Sequence, residues 1–105
     1  MRAADVLKHY EGIERESASM LAAAVAGDRE ALMAAERRCA ALAGELKRSG
    51  EPTLDRAQQR RKMDLILAIL SNDRDVRAIT EPWMAELSRL IHGTRMQRNV
   101  ANLYG

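Results

Sequence analysis

Apolar residues recur every three or four positions through almost the whole chain, and this spacing restricts the fold to amphipathic helices. The first stripe comprises Val6, Tyr10, Ile13, Ser17, Met20 and Ala24. It ends at Gly27, which suits the left-handed conformation that closes helices, and Asp28 follows as an N-cap for the next helix. We therefore predict a tight turn between two antiparallel helices.

Two further stripes predict two more helices. The second consists of Leu32, Ala35, Cys39, Leu42 and Leu46 and stops at Ser49 and Gly50. The third follows Thr53, a suitable cap, and comprises Ala57, Met63, Ile66, Leu70, Val76, Ile79, Trp83, Leu87 and Leu90. A helix over residues 54–92 would be roughly 60 Å long, so one end should project beyond its neighbours.

The third stripe has irregular positions. Asn72 and Asp73 stand where apolar residues are expected. Pro82 should kink the helix rather than end it, because the apolar spacing continues on both sides. Gly93 offers a helix stop, and Thr94 with Gln97 has the spacing of a capping box, so a fourth helix should begin there. At about a dozen residues it is marginal alone.

Composition agrees with helices and not with a sheet, since the chain has only three aromatic residues and no Phe. We predict an all-α protein: an antiparallel bundle of three longer helices plus a short C-terminal helix. It forms a single domain over residues 1–105, in which residues 94–105 are able to move. Ile13, Leu42 and Ile66 should be buried.

Candidate catalytic groups are few. His9 and His92 are far apart in sequence, Cys39 is the single cysteine, and no nucleophile elbow, phosphate loop or metal-ligand spacing is present. We expect no enzyme, no metal and no cofactor. The apolar run at residues 65–70 is too short to span a membrane, and no secretory signal is evident, so the cytoplasm is the expected compartment.

The charge pattern does not favour nucleic acid. Basic and acidic residues number 17 and 15, and the excess of two is Arg95 and Arg98 near the C-terminus. The basic run from Arg56 to Lys62 is flanked by acidic residues and has no interleaved aromatic residue for base stacking. A solvated helix face is therefore favoured over direct nucleic-acid binding.

Two segments are candidates for binding a protein partner. Residues 65–70 are more continuously apolar than one core-facing stripe requires, which predicts a client site at Met63, Ile66, Leu67 and Leu70. The last segment has an apolar edge at Met96, Val100 and Leu103. It can cover an apolar groove and leave when a partner helix competes, or it can pack permanently as a fourth helix; the residues alone leave both open.

Two stretches resemble a known family. Residues 86–105, ELSRLIHGTRMQRNVANLYG, and residues 27–36, GDREALMAAE, are similar to the flagellar type III export chaperones of the FliT family. The most specific part is the end, where a Leu-Ile pair and a Gly turn precede basic and Gln residues and then Asn-x-Tyr-Gly.

The resemblance implies a small, helical, cytoplasmic chaperone. Such a protein binds the C-terminal region of the filament-cap protein, prevents its premature assembly and delivers it to the export ATPase or gate. Met96, Val100, Leu103 and Tyr104 then correspond to a regulatory C-terminal helix, and Arg95, Gln97 and Arg98 to contacts with the export machinery. The alternative is a regulator of flagellar transcription, acting through the master transcriptional activator or through a basic helix. A homodimer is also left open.

Overall fold

The described part of the chain forms three helices, and the longest of them sets the shape of the molecule. The computed structural model describes the backbone of residues 1–50 and 52–104, and the side chains of residues 1–50 and 52–93. The helices are α1 (Ala3–Ala26), α2 (Arg29–Ser49) and α3 (Arg56–Tyr104). No strand occurs in the described part of the chain, so the predicted all-helical class is confirmed. The molecule measures 70 × 27 × 20 Å.

The turn between α1 and α2 forms as the sequence predicts. Gly27 has φ 72°, the left-handed conformation that a side chain would disfavour. Its N–H donates to the carbonyl of Ala24 at 3.1 Å, and the N–H of Asp28 donates to that of Ala23 at 2.9 Å. The Asp28 carboxylate then accepts from the Ala31 N–H at 3.0 Å and begins α2.

The cap of α3 lies two residues beyond the predicted Thr53. The Asp55 carboxylate accepts from the Gln58 N–H at 2.8 Å, and the Gln58 side chain accepts from the Asp55 N–H at 3.0 Å. This reciprocal pair satisfies two backbone donors, whereas a hydroxyl alone satisfies one, which accounts for the shift.

Helix α1 packs against both other helices, and α1 and α2 run antiparallel. Arg38 of α2 pairs with Glu16 at 2.6 Å, and Glu45 of α2 pairs with His9 at 2.5 Å. In these two pairs the residue number rises along α2 while it falls along α1. The two helices are therefore antiparallel, as the short turn between them requires.

Helices α1 and α3 run parallel and share one buried polar contact. Arg61 approaches Glu11 at 3.7 Å, and the Asn72 amide donates to the Ser17 hydroxyl at 2.9 Å. Ser17 is only 5% exposed and donates to the carbonyl of Glu14 at 2.7 Å. The polar residue at position 72 therefore has a partner on α1, which the spacing of apolar residues alone could not reveal.

The core is small because α2 and α3 do not close over α1. Among the described residues, no Cα atom of α2 lies within 8 Å of one in α3. The buried apolar residues are Val6, Ala23, Ala24, Ala35, Leu54, Leu65 and Val76. Ile13, Leu42 and Ile66, for which we predicted burial, are half-buried. The open side between α2 and α3 leaves them partly accessible.

Helix α3 passes both predicted interruptions. It contains Pro82 and continues through Gly93 to Tyr104, so a separate short C-terminal helix is not confirmed. Gly27 and Gly50 are the described glycines with positive φ, and Gly93 is helical. A glycine within a helix costs about 1 kcal/mol relative to alanine, which does not suffice to end one.

Candidate partner-binding surface

The open side of the bundle forms a groove with walls from α2 and α3 and a floor from α1. Its volume is about 380 Å³. The apolar residues that line it include Ile13, Met20, Cys39, Ile69, Leu70 and Val76. This groove is a shape into which a helix or an extended segment of another protein can fit.

The four predicted client-binding residues lie together along two turns of α3. Met63, Leu67 and Leu70 are 55%, 57% and 56% exposed, and we call these three residues the exposed stripe. Ile66 is half-buried and, with Met63, lines a hollow beside Leu54. Leu70 reaches the groove between α2 and α3. The four side chains therefore form one continuous, accessible surface on α3.

A second apolar surface lies where α3 extends beyond the other two helices. Its exposed residues are Met33, Met84, Leu87, Leu90 and Ile91. All but Ile91 line a hollow of about 500 Å³, together with Leu32 and Trp83. We call this cavity the end hollow.

Leu87 and Leu90 belong to the predicted apolar stripe of the third helix, yet both are exposed. They continue the stripe of Leu65 and Val76, but α1 ends at Ala26 and has nothing left to cover them. The sequence does contain a signal for this exposure, which is the length of the third stripe. That stripe extends much further along the chain than the first, so α1 cannot cover all of it.

Trp83 marks the junction between the bundle and the projecting end of α3. The Arg29 guanidinium carbon lies 5.3 Å from the centroid of the Trp83 ring, within range of a cation–π interaction. Because Arg29 is the first residue of α2, this contact links the start of α2 to α3 at the edge of the end hollow.

The basic run does not form a single basic face. Arg61 turns toward Glu11, and the Lys62 ammonium lies 5.6 Å from the centroid of the Tyr10 ring, so both lean on α1. Arg56 and Arg60 remain exposed on α3. The run is thus divided between an interhelical contact and a solvated surface.

His9 lies at the contact between α1 and α2. Its Nδ1 is 2.8 Å from the Asp5 carbonyl and its Nε2 is 2.5 Å from the Glu45 carboxylate. The hydrogen bond to Asp5 and then that to Glu45 raise the pKa of His9. His92 is on the projecting end of α3, so the structure does not bring the two histidines together.

Cys39 is inside the groove rather than at a reactive position. Burial raises the pKa of its thiol, which disfavours the nucleophilic thiolate. The Sγ donates to the Ile13 carbonyl at 3.8 Å and lies 3.8 Å from the Met20 sulfur. It behaves as a small apolar residue.

Neither a metal-ion site nor a membrane-spanning helix occurs in the described part of the chain. There, no three His, Cys, Asp or Glu side chains are close enough to hold a metal ion. None of the helices, as far as they are described, combines the length and apolar character needed to cross a membrane. The side chains of the predicted C-terminal site residues, 95–98, 100, 103 and 104, lie outside the described residues.

Comparison with known proteins decides the family. A family model described as flagellar protein FliT matches residues 7–105. The crystal structure of flagellar protein FliT from Bordetella bronchiseptica is similar to this chain, with 37% sequence identity and a TM-score of 0.71. The match covers 81% of this chain and 97% of that one. This chain belongs to the FliT family.

Membership in the FliT family confirms the resemblance seen in residues 27–36 and 86–105, and it supports a flagellar chaperone role. A search of curated protein sequences gives no match. The groove, the exposed stripe and the end hollow are therefore surfaces of a flagellar protein.

Proposed function

We propose that this FliT-family protein is an export chaperone that binds the C-terminal region of the filament-cap protein. It prevents premature assembly of that client and delivers it to the export apparatus. The observation that carries the proposal is the apolar surface of α3, where large side chains are about half-exposed. Contiguous apolar surface of this kind is typical of a site that another protein covers.

The client site proposed here is Met63, Ile66, Leu67 and Leu70. Their spacing of three and four residues lets an amphipathic helix of the client lie along α3. Ile66 and Met63 open into one hollow and Leu70 into the groove, so the client can place side chains into both. Adaptable methionine at position 63 suits a surface that repacks around its partner.

The test is Leu67→Asp, which puts a charge on the exposed stripe without disturbing the core. We expect affinity for the purified C-terminal region of the cap protein to fall at least tenfold by calorimetric titration, or about 1.4 kcal/mol. Val25→Asp is the matched control, since Val25 is 72% exposed on α1. Both variants should keep the helical circular-dichroism spectrum. Unchanged binding by Leu67→Asp would place the client site elsewhere.

The proposed regulator is the segment from Thr94 to Gly105. To cover an apolar surface it must separate from α3 by a break at Gly93. A folded-back helix of a dozen residues spans about 18 Å, whereas Leu70 is about 35 Å from Gly93 along α3. Residues 94–105, which we call the cover, can therefore reach the end hollow but not the exposed stripe. The cover competes with the part of a client that occupies the end hollow.

The remaining proposed partners follow from the family. Arg95, Gln97 and Arg98 are proposed to contact the export ATPase or gate. The chaperone is proposed to bind its client in the cytoplasm. Inhibition of the master transcriptional activator would require a protein contact rather than a basic helix, because Arg61 and Lys62 lean on α1. No specific feature of the described residues favours the transcriptional role over the chaperone role.

A further inference from the structure

The exposed stripe is flanked by arginines that continue its spacing. Arg60 precedes Met63 by three residues, and Arg74 follows Leu70 by four. Arg56 lies one further turn toward the start of α3. Arg56, Arg60 and Arg74 are exposed, and among the side chains that the structure describes none of the three has an ion-pair partner.

Other arginines on the same helix are paired. Arg61 approaches Glu11 at 3.7 Å, and Arg77 pairs with Asp73 at 2.5 Å. Residues 56–77 contain six basic and three acidic side chains, a larger positive excess than that of the whole chain. Among the described side chains, Arg56, Arg60 and Arg74 thus remain as positive charges without an ion-pair partner at the two ends of the exposed stripe.

We propose that the exposed stripe binds an amphipathic helix whose apolar face has acidic side chains at both ends. The inference rests on the proposed function, because it gives the chemistry of the client segment. Arg60 and Arg74 are about 21 Å apart along the helix, so acidic residues about 14 positions apart in the partner can meet both. Three apolar residues between them then meet the stripe.

The two kinds of contact do different things. Apolar contacts along the stripe supply affinity for any amphipathic helix. Charges at the edge of an interface steer association and select among partners, because a basic or uncharged end leaves the arginines unmatched. The arginines thereby favour one class of segment and disfavour exposed apolar helices from other proteins.

Synthetic helices of about 18 residues test the charge preference. Three peptides share the same leucine spacing and carry Glu, Gln or Lys at the two ends. We expect the Glu peptide to bind the full chain about tenfold more tightly than the Gln peptide at low salt, since each exposed pair contributes a few-fold. The Lys peptide should bind most weakly, and the preference should shrink as salt screens the charges.

Variants assign the preference to this surface. The triple variant Arg56→Gln, Arg60→Gln and Arg74→Gln should bind the Glu and Gln peptides equally. The control, Arg15→Gln, Arg37→Gln and Arg48→Gln, removes the same charge from exposed positions on α1 and α2 and should keep the preference. Equal affinity of the unaltered chain for the Glu and Gln peptides would overturn the proposal. So would tighter, arginine-dependent binding of a labelled single-stranded oligonucleotide.

A parallel titration with the cap-protein region separates this inference from the proposed function. If the cap protein binds and the peptides show no charge preference, the charge selection is wrong and the chaperone role stands. If the Glu peptide is preferred and the cap protein does not bind, the chemistry of the surface stands and the proposed client is wrong.

Discussion

At the scale of single residues, His9 couples the contact between α1 and α2 to pH. Both ring nitrogens face groups that only accept hydrogen bonds, the Asp5 carbonyl and the Glu45 carboxylate. The doubly protonated imidazolium satisfies both, whereas the neutral ring satisfies one. These hydrogen bonds raise the pKa of His9 from its ordinary value of 6.5. Its contribution to stability is therefore complete below that value and is lost as pH rises through the folded-state pKa.

We expect the free energy of unfolding to be larger at about pH 5.5 than at about pH 8, through this histidine, by less than about 1 kcal/mol. Urea denaturation of the unaltered chain and of His9→Gln at the two pH values measures the difference. The variant should lose this part of the pH dependence. An identical pH dependence in both proteins would mean that the imidazolium does not hold the contact.

Asn72 gives a second residue-scale prediction, because it pairs with the buried Ser17 between α1 and α3. Asn72→Ala should cost about 1 kcal/mol, the usual value of such a hydrogen bond. Combining Ser17→Ala with Asn72→Ala removes both polar groups, so the double variant should lose less stability than the sum of the two single variants. A double-mutant cycle by urea denaturation checks this, and simple additivity of the two changes would show that the pair is not coupled.

At the scale of helices, the spacing of apolar residues predicts which side of a helix is apolar but not what covers it. Leu65 and Leu87 occupy similar positions on the stripe of α3, yet Leu65 is buried and Leu87 is exposed because α1 ends beside Trp83. The turn at Gly27 was predictable, since its preferences are local. The helix through Gly93 was not, because a glycine and a capping-box pattern only weaken a helix and do not decide whether it continues.

Continuity at Gly93 has a measurable consequence. Gly93→Ala should favour the helix by up to about 1 kcal/mol, so backbone amides of residues 94–104 should exchange with solvent up to about fivefold more slowly. Amides of α1 serve as internal controls and should not change. If exchange at 94–104 is unaffected by this substitution, those residues are not part of a helix joined through position 93.

At the scale of the whole molecule, unequal helix lengths create the binding surface. Helices α1 and α2 have 24 and 21 residues and α3 has 49, and in the described part of the chain α1 alone packs along α3, so it covers only part of one face of α3. The exposed stripe lies beside the hairpin, and the end hollow lies between the start of α2 and the projecting part of α3. A client that occupies both would extend along about 40 Å of the 70 Å length. Trp83 lines the end hollow at its edge nearest the exposed stripe.

That arrangement leads to the last prediction, for a chain that ends at Gly93. If residues 94–105 cover the end hollow for part of the time, a client can bind only to the molecules in which the end hollow is open. The apparent affinity for the client is then lower than the intrinsic affinity, in proportion to the fraction of open molecules. The shortened chain should therefore bind the cap-protein region more tightly, mainly through faster association in stopped-flow measurements. Val100→Ser combined with Leu103→Ser should act in the same direction, because it weakens the apolar contacts of the cover.

Trp83, the single tryptophan, reports on the end hollow itself, and its emission should shift to longer wavelength when the cover is removed. Equal or weaker binding after the deletion would show instead that the last dozen residues form part of the client site or extend α3 permanently.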